Sequence, residues 1–288
     1  AQRTHAPVAG HLLQQLGEDL PGAVIARPAE PSLRPIIQKA SPAHPQAETP
    51  QAGALYFSLA GAQWKLSVRD GERGLVVPVR GQSGHYVAKF DDPAHLNLPR
   101  IEHTTMEWAR LSGIDVPPFR LVNANAFPAL PDGIPLGNGE VFLIDRFDRI
   151  GDESRVHMED FGQVLDRAPG DGQYIGSYEQ IAATLHALSP ADLGPFCERI
   201  AFCAIAGNGD AHLKNWSILY RDGRHPQLSP AYDLVATVIY PRIEDCLALD
   251  LGGRGNSSLL LSGEKLDPAR AAFVNGAYAH ACDLDDTH

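Results

Sequence analysis

The spacing of hydrophobic and polar positions changes about half-way along the chain. From Leu55 onward, short apolar runs and alternations bounded by turn residues predict strands at Leu55–Leu59, Trp64–Arg69, Gly74–Pro78 and His85–Phe90. Asp70-Gly71 is the expected hairpin turn between the second and third of these. A helix is expected over Arg100–Ser112, ended by Gly113 and barred from continuing by Pro117-Pro118, with two more strands at Arg120–Ala124 and Glu140–Phe147. After Asp148 the period becomes helical. Met158, Phe161, Val164 and Leu165 predict a helix over Arg155–Ala168. Ser177 and Gln180 form a capping box ahead of Ile181, Leu185 and Leu188. Ser189-Pro190 opens a further helix, whose Leu193, Phe196, Ile200 and Cys203 make a buried stripe ending at Gly207. The pattern implies an α+β chain of two lobes, a β-rich one over residues 1–147 and an all-helical one over 148–288, with a cleft between them. Ala26–Pro50, rich in Pro, Ala and Gln and without periodicity, reads as a linker or surface loop.

Composition narrows the function classes. With 288 residues, 44% of them hydrophobic and 20% charged, the chain has the make-up of an ordinary globular protein. Its 24 Lys and Arg against 35 Asp and Glu give a net charge of −11, a poor basis for gripping nucleic-acid phosphates over a broad surface. No stretch approaches the roughly 18 apolar residues of a membrane span, and no basic-then-apolar segment opens the sequence. The expectation is therefore a cytoplasmic protein without membrane contact. The four cysteines, 197, 203, 246 and 282, lack C-x-x-C spacing and read as plain thiols. A first residue Ala1 in place of Met leads to the expectation of a trimmed or gapped version of a longer protein.

The densest polar cluster is Gly207-Asn208-Gly209-Asp210-Ala211-His212-Leu213-Lys214-Asn215, followed by an apolar strand Trp216–Tyr220, an Asp222-Gly223 turn and Leu228-Ser229-Pro230-Ala231-Tyr232-Asp233. Kinase chemistry uses a loop Asp to orient the substrate hydroxyl, an Asn five positions later to hold Mg²⁺, and a later Asp to bridge metal and phosphate. Asp210 to Asn215 has that D-x-x-x-x-N spacing. The competing reading is a loop in which Asn and Asp merely cap and turn. Upstream, Lys89 in Tyr86-Val87-Ala88-Lys89-Phe90 resembles the strand lysine that pairs with phosphates, against a solvent-facing strand lysine. Glu102 is its candidate partner, against a first-turn Glu favoured by the helix dipole. Gly81-Gln82-Ser83-Gly84 fits a hairpin turn better than a phosphate loop, a role for which Ser58-Leu59-Ala60-Gly61-Ala62-Gln63-Trp64-Lys65 is the candidate. A metal-hydrolase cluster of Asp210, His212 and Asp233 lacks a second His at ligand spacing, and no G-x-S-x-G elbow supports a serine hydrolase.

Four blocks together resemble the HipA family of serine/threonine kinases, the toxins of bacterial type II toxin–antitoxin pairs: Ser58–Lys65, Ile144-Asp145-Arg146-Phe147-Asp148-Arg149, His157-Met158-Glu159-Asp160-Phe161, and Gly207–Asn215 with Leu228–Leu234. Gly17-Glu18-Asp19-Leu20-Pro21-Gly22-Ala23 resembles the end of that family's small N-terminal subdomain, most of which is expected to be missing here, alongside a short C-terminal helical region. The resemblance implies a two-lobed protein-kinase-like fold using ATP and Mg²⁺. Asp210 would be the catalytic base and Asn215 and Asp233 the metal ligands. Ala60, Gly61, Ala62, Gln63, Trp64 and Lys65 would form the phosphate loop, and Lys89 would meet the phosphates. Asp145, Arg146 and Phe147 would meet adenine through their backbone at the hinge, where relatives often carry Glu in place of Asp145. His212, Leu213, Lys214 and Tyr232 would line the nucleotide site. Ser58 would be the autophosphorylated serine whose modification expels the loop, against a buried strand-end hydroxyl. The implied partners are a HipB-like helix-turn-helix antitoxin, DNA only through that antitoxin, and a protein substrate such as an aminoacyl-tRNA synthetase. The alternative is a catalytically inactive HipA-like binding protein acting as antitoxin partner and co-repressor.

Overall fold

The computed structural model describes residues 19–26, 63–78, 83–151, 154–168, 171–240 and 247–251. Its first half is built on an antiparallel five-stranded sheet of order β2-β1-β3-β5-β4, formed by β1 (Lys65–Gly71), β2 (Gly74–Val76), β3 (Tyr86–Lys89), β4 (Phe119–Asn123) and β5 (Glu140–Asp145). Both faces of this sheet are covered, which is why β5 reads as the unbroken apolar run Val141-Phe142-Leu143-Ile144 and not as an alternation. Val141 and Leu143 join Leu66, Val68, Ala88 and Phe90 on one face, over Phe127. Phe142 and Ile144 point to the other, where helix α1 (Leu98–Leu111) supplies Met106 and Ala109.

The same core continues without a break into the second half, through Phe161, Tyr178, Ile181, Leu185, Phe196, Phe202, Leu213, Trp216 and Ile218. These come from a one-turn helix α2 (Phe161–Val164), α3 (Tyr178–Leu188), α4 (Leu193–Ala206) and a second sheet. The Ser177–Gln180 capping box is present in both directions, and α4 stops at Gly207, φ 72°, as the pattern of residues predicts. Leu55–Leu59 and most of Ala26–Pro50 lie outside the described residues.

Three expectations are corrected. The segment expected as a helix over Arg155–Ala168 is extended as far as Asp160 and helical only over Phe161–Val164: after the short pair β6 (Arg149–Ile150) and β7 (Ser154–Arg155) comes β8 (His157–Asp160). β8 pairs with β9 (Ser217–Tyr220), with His157 opposite Tyr220 and Asp160 opposite Ser217. The helix is delayed to Phe161 because Asp160 accepts a hydrogen bond from Gln163 N while the Gln163 side chain returns to Asp160 N, so helix nucleation starts there and no earlier. The region after Asp148 is accordingly not all-helical, since β8, β9 and β10 (Gln227–Leu228) form a three-stranded sheet in it. The first hairpin turns at Glu72-Arg73, two residues beyond Asp70-Gly71, because Gly71 is still paired with Gly74.

Candidate active site between the two sheets

The loop from Gly207 to Asn215 is held by its own polar residues. Gly207 must be glycine twice over, for its left-handed φ and because a Cβ there would stand 2.3 Å from Val238 Cγ1. Asn208, 1% exposed, accepts a hydrogen bond from Asp210 N at 3.1 Å through its side chain, a turn that pushes Asp210 outward. Thr237 Oγ1 accepts from Gly209 N at 2.8 Å and donates to Gly207 O at 3.2 Å. Asn215 Nδ2 donates to Asp210 O at 2.7 Å, closing the loop across the five-residue spacing. Trp216 Nε1 donates to Ala211 O at 3.0 Å from inside the core. Asp210 is left with a side chain 67% exposed and His212 Nε2 4.0 Å away. Partial loss of solvent pushes its carboxyl up, helped by Asp233 and opposed by His212; burial pushes the His212 imidazole down.

The other half of the site comes from the sheet. Lys65 and Lys89 face each other across β1 and β3, a juxtaposition of like charges that requires a carboxylate between them. Asp233 supplies it. Its Oδ1 lies 2.5 Å from Lys89 Nζ and its Oδ2 3.3 Å from Lys65 Nζ. Lys89 also pairs with Glu102 of α1, which is fully buried. Burial alone would raise the Asp233 carboxyl, but the two lysines hold it well below the usual carboxylate range. Burial would likewise lower Lys89, and Asp233 and Glu102 together keep it above its ordinary value. Because one ammonium serves two carboxylates, Glu102 receives less than full compensation: burial, with Asp233's repulsion, pushes it up to about 6 against Lys89. Asp233 occupies φ 58°, a left-handed conformation costly for a residue with a side chain. It is reached through a segment pinned at Ser229 N to Ser217 O (2.9 Å) and Ala231 N to Asp115 O (2.7 Å), and by the Tyr232 hydroxyl donating to Lys214 O (2.8 Å).

Asp210, Asn215, Asp233, Lys65, Lys89 and Glu102 are thus brought near one another. His212 lies beside Asp210, and Phe147 packs against Tyr232, tilted by 43° with ring centroids 5.4 Å apart. Other expected residues are placed differently. The Leu213 side chain is core, Lys214 pairs with Asp160 at 2.7 Å, and Trp64 packs against the outer face of the first sheet. Gln63 donates to Phe90 O at 3.0 Å. Asp145 N and Arg146 N are already donated to Pro118 O and His85 O at 2.9 and 2.8 Å. The Arg146 side chain, expected to matter only through its backbone, enters a buried ionic cluster: it donates to Asp19 at 2.7 Å, to Asp148 at 3.0 Å and to Ser67 at 3.2 Å, while Arg149 spans Asp19, Asp148 and Ser83. Ser58, Ala60, Gly61 and Ala62 lie outside the described residues. Among the described residues no group of three or more His, Cys, Asp or Glu is placed to hold a metal ion by protein ligands alone, and Cys197 and Cys203 are free thiols. No helix among them is long and apolar enough to cross a membrane.

Residues 57–282 match the family model described as the HipA-like C-terminal domain. The chain belongs to that family. It is 40% identical over 248 residues to a Sinorhizobium fredii protein named "Putative kinase Y4dM", covering 83% of this chain and 58% of the relative. A Haemophilus influenzae protein named "Putative kinase" is 32% identical over 218 residues, covering 70% of this chain and 60% of that one. The HipA-like chain therefore spans about three-fifths of the length of the curated relatives it matches. Among solved structures, the Shewanella oneidensis toxin–antitoxin complex of HipA, HipB and operator DNA matches with a TM-score of 0.61 at 21% identity, over 94% of this chain and 76% of that one. That likeness shows a kinase-like α+β fold.

Proposed function

We propose that this HipA-like chain is an ATP- and Mg²⁺-dependent serine/threonine protein kinase. The observation that carries the reading is the set of contacts around Lys89, with Glu102 on one side and Asp233 at 2.5 Å on the other. A buried lysine shared by two carboxylates is a poor device for stability alone, and it is the arrangement phosphoryl transfer needs. Lys65 and Lys89 would take the phosphates. Mg²⁺ asks for hard oxygen donors completed by phosphate and water. Asn215, whose Nδ2 is committed to Asp210 O, leaves Oδ1 for a ligand, and Asp233 adds a carboxylate, so the donor set fits. Bound there, the metal would offset charge developing on the transferred group. With Asp145 N and Arg146 N taken, the Phe147 N–H would be the hinge donor to the adenine, and residues 145–147 would mark the join of the two lobes.

In the reaction, the substrate hydroxyl oxygen forms a bond to the γ-phosphorus as the bond to the β–γ bridging oxygen breaks and ADP leaves. Asp210 orients the hydroxyl and receives its proton, a role suited to a carboxyl whose affinity for protons is raised. The finer reading is that of a cytoplasmic toxin. Its protein substrate would be a translation component such as an aminoacyl-tRNA synthetase, and autophosphorylation at Ser58 would switch it off. A HipB-like antitoxin would neutralise it and carry the complex to DNA.

The test is incubation of the chain with γ-labelled ATP, Mg²⁺ and host lysate, followed by mapping of the labelled residues. Label on a serine or threonine of a translation component and on Ser58 is expected, and Asp210→Asn should lower turnover by roughly 10²–10⁴-fold while ATP affinity stays within about threefold. Normal turnover by that variant would overturn the assignment of Asp210, and label confined to residues other than Ser58 would remove the proposed self-inhibition.

A further inference from the structure

Arg199 has no part in the chemistry above, yet it is 4% exposed in the middle of α4. Its guanidinium makes one hydrogen bond among the described residues, from Nη2 to Ser229 O at 2.6 Å, while Nε and Nη1 are buried without a partner there. Among the described residues no carboxylate lies at ion-pair distance from it, and burial pushes its pKa down to about 10. As a stabilising device this is unfavourable, because a buried cation left largely unpaired costs more than one hydrogen bond returns. What distinguishes Arg199 is the pair of segments it touches. Ser229 begins the backbone run that carries Asp233 into its left-handed conformation. The guanidinium carbon Cζ lies over the ring of Trp216, the residue after Asn215, 5.3 Å from its centroid, and Trp216 Nε1 holds Ala211 O next to Asp210.

We infer that Arg199 is a positioning residue for phosphoryl transfer, clamping the Asp233 segment through Ser229 O and the Asp210–Asn215 loop through Trp216, so that the two keep one relative placement. The inference rests on the kinase reading of the site. A planar cation that stacks with its face and donates from its edge can hold both partners at once. An ammonium can do one of these well, so lysine is an incomplete replacement.

The test compares Arg199→Lys and Arg199→Met with the parent in melting temperature, ATP affinity and steady-state kinetics. Methionine fills similar volume without a charge, so the Met variant is expected to melt at the parental temperature or above it. Its kcat should fall about 10- to 100-fold with KM for ATP within about threefold, the outcome of a small misplacement of groups that act together. The Lys variant should lose about three- to tenfold in kcat, between the other two. A folded Met variant with kcat within twofold of the parent overturns the inference. Should the Met variant not fold, the Lys variant decides: parental kcat overturns it, and a selective fall in kcat supports it. A parent that neither binds nor turns over ATP overturns the kinase reading and this inference together, whereas an active parent with an equally active Met variant overturns this inference alone.

Discussion

At the residue scale the site is a problem in sharing charge. Lys65 and Lys89 bring two positive charges to one patch, and Glu102 and Asp233 bring two negative ones, so the cleft is balanced before any nucleotide enters. A triphosphate would unbalance it, and the lysines would turn from Asp233 to the phosphates, freeing the carboxylate for metal. Glu102 cannot follow, being buried on α1, and its other carboxylate oxygen, Oε2, has no hydrogen-bond partner among the described residues. Its charge therefore depends on pH. With a folded value of about 6 against an ordinary 4.5, its protonated form is favoured by the fold. The stability this contributes is present below about 4.5 and is lost as pH rises through about 6, worth about 2 kcal/mol. Activity should move the other way, falling as pH drops below about 6, because a neutral Glu102 no longer holds Lys89. Glu102→Gln should flatten both limbs, and pH-dependent denaturation beside the pH–rate profile checks it. An unchanged acid limb in the variant would assign that limb to another group.

At the scale of elements, how much could be read beforehand depends on whether the deciding contact is local. The capping box at Ser177, the end of α4 at Gly207 and the strand carrying Lys89 are set by residues within a few positions of one another, and they stand where the pattern puts them. The segment 155–168 departs from the expected helix because Met158, Phe161, Val164 and Leu165 imitate a helical face, while the partner that makes His157–Asp160 a strand lies at Ser217–Tyr220. The D-x-x-x-x-N loop and the Lys89–Glu102 pair were legible from spacing and residue type. The Arg199 contact was not, since nothing local ties it to Ser229, 30 positions away. Gly207 is where element and site meet: replaced by alanine, it combines a left-handed φ with a Cβ 2.3 Å from Val238. Gly207→Ala should cost about 2–4 kcal/mol in chemical denaturation. It should also lower turnover more than ATP affinity, because Asp210 is three residues downstream. A variant with parental stability would show that Val238 yields freely.

At the scale of the whole molecule, a continuous apolar core joins the inner face of the first sheet to the helices, and the ionic cluster at Asp19, Arg146, Asp148 and Arg149 ties the segment at residues 19–22 to both the sheet and the turn after β5. The cluster is neutral, with two acids and two arginines, and all four side chains are at most 12% exposed. Salt should screen it little. Removing one member leaves an uncompensated buried charge, so Asp19→Ala should destabilise the protein by about 3–5 kcal/mol. Removing a second, opposite charge should then be less harmful than the first. Arg146→Met introduced into the Asp19→Ala background should recover part of the loss, giving a coupling free energy of about 1–3 kcal/mol in a double-mutant cycle. If the two losses simply add, the arginine is held by Asp148 alone and residues 19–22 do not brace the turn. If they couple, the Asp19-Leu20-Pro21-Gly22 segment, far from the cleft in sequence, is part of what fixes residues 145–147 beside Tyr232, and the double variant should bind ATP more weakly than the parent even where its stability is restored.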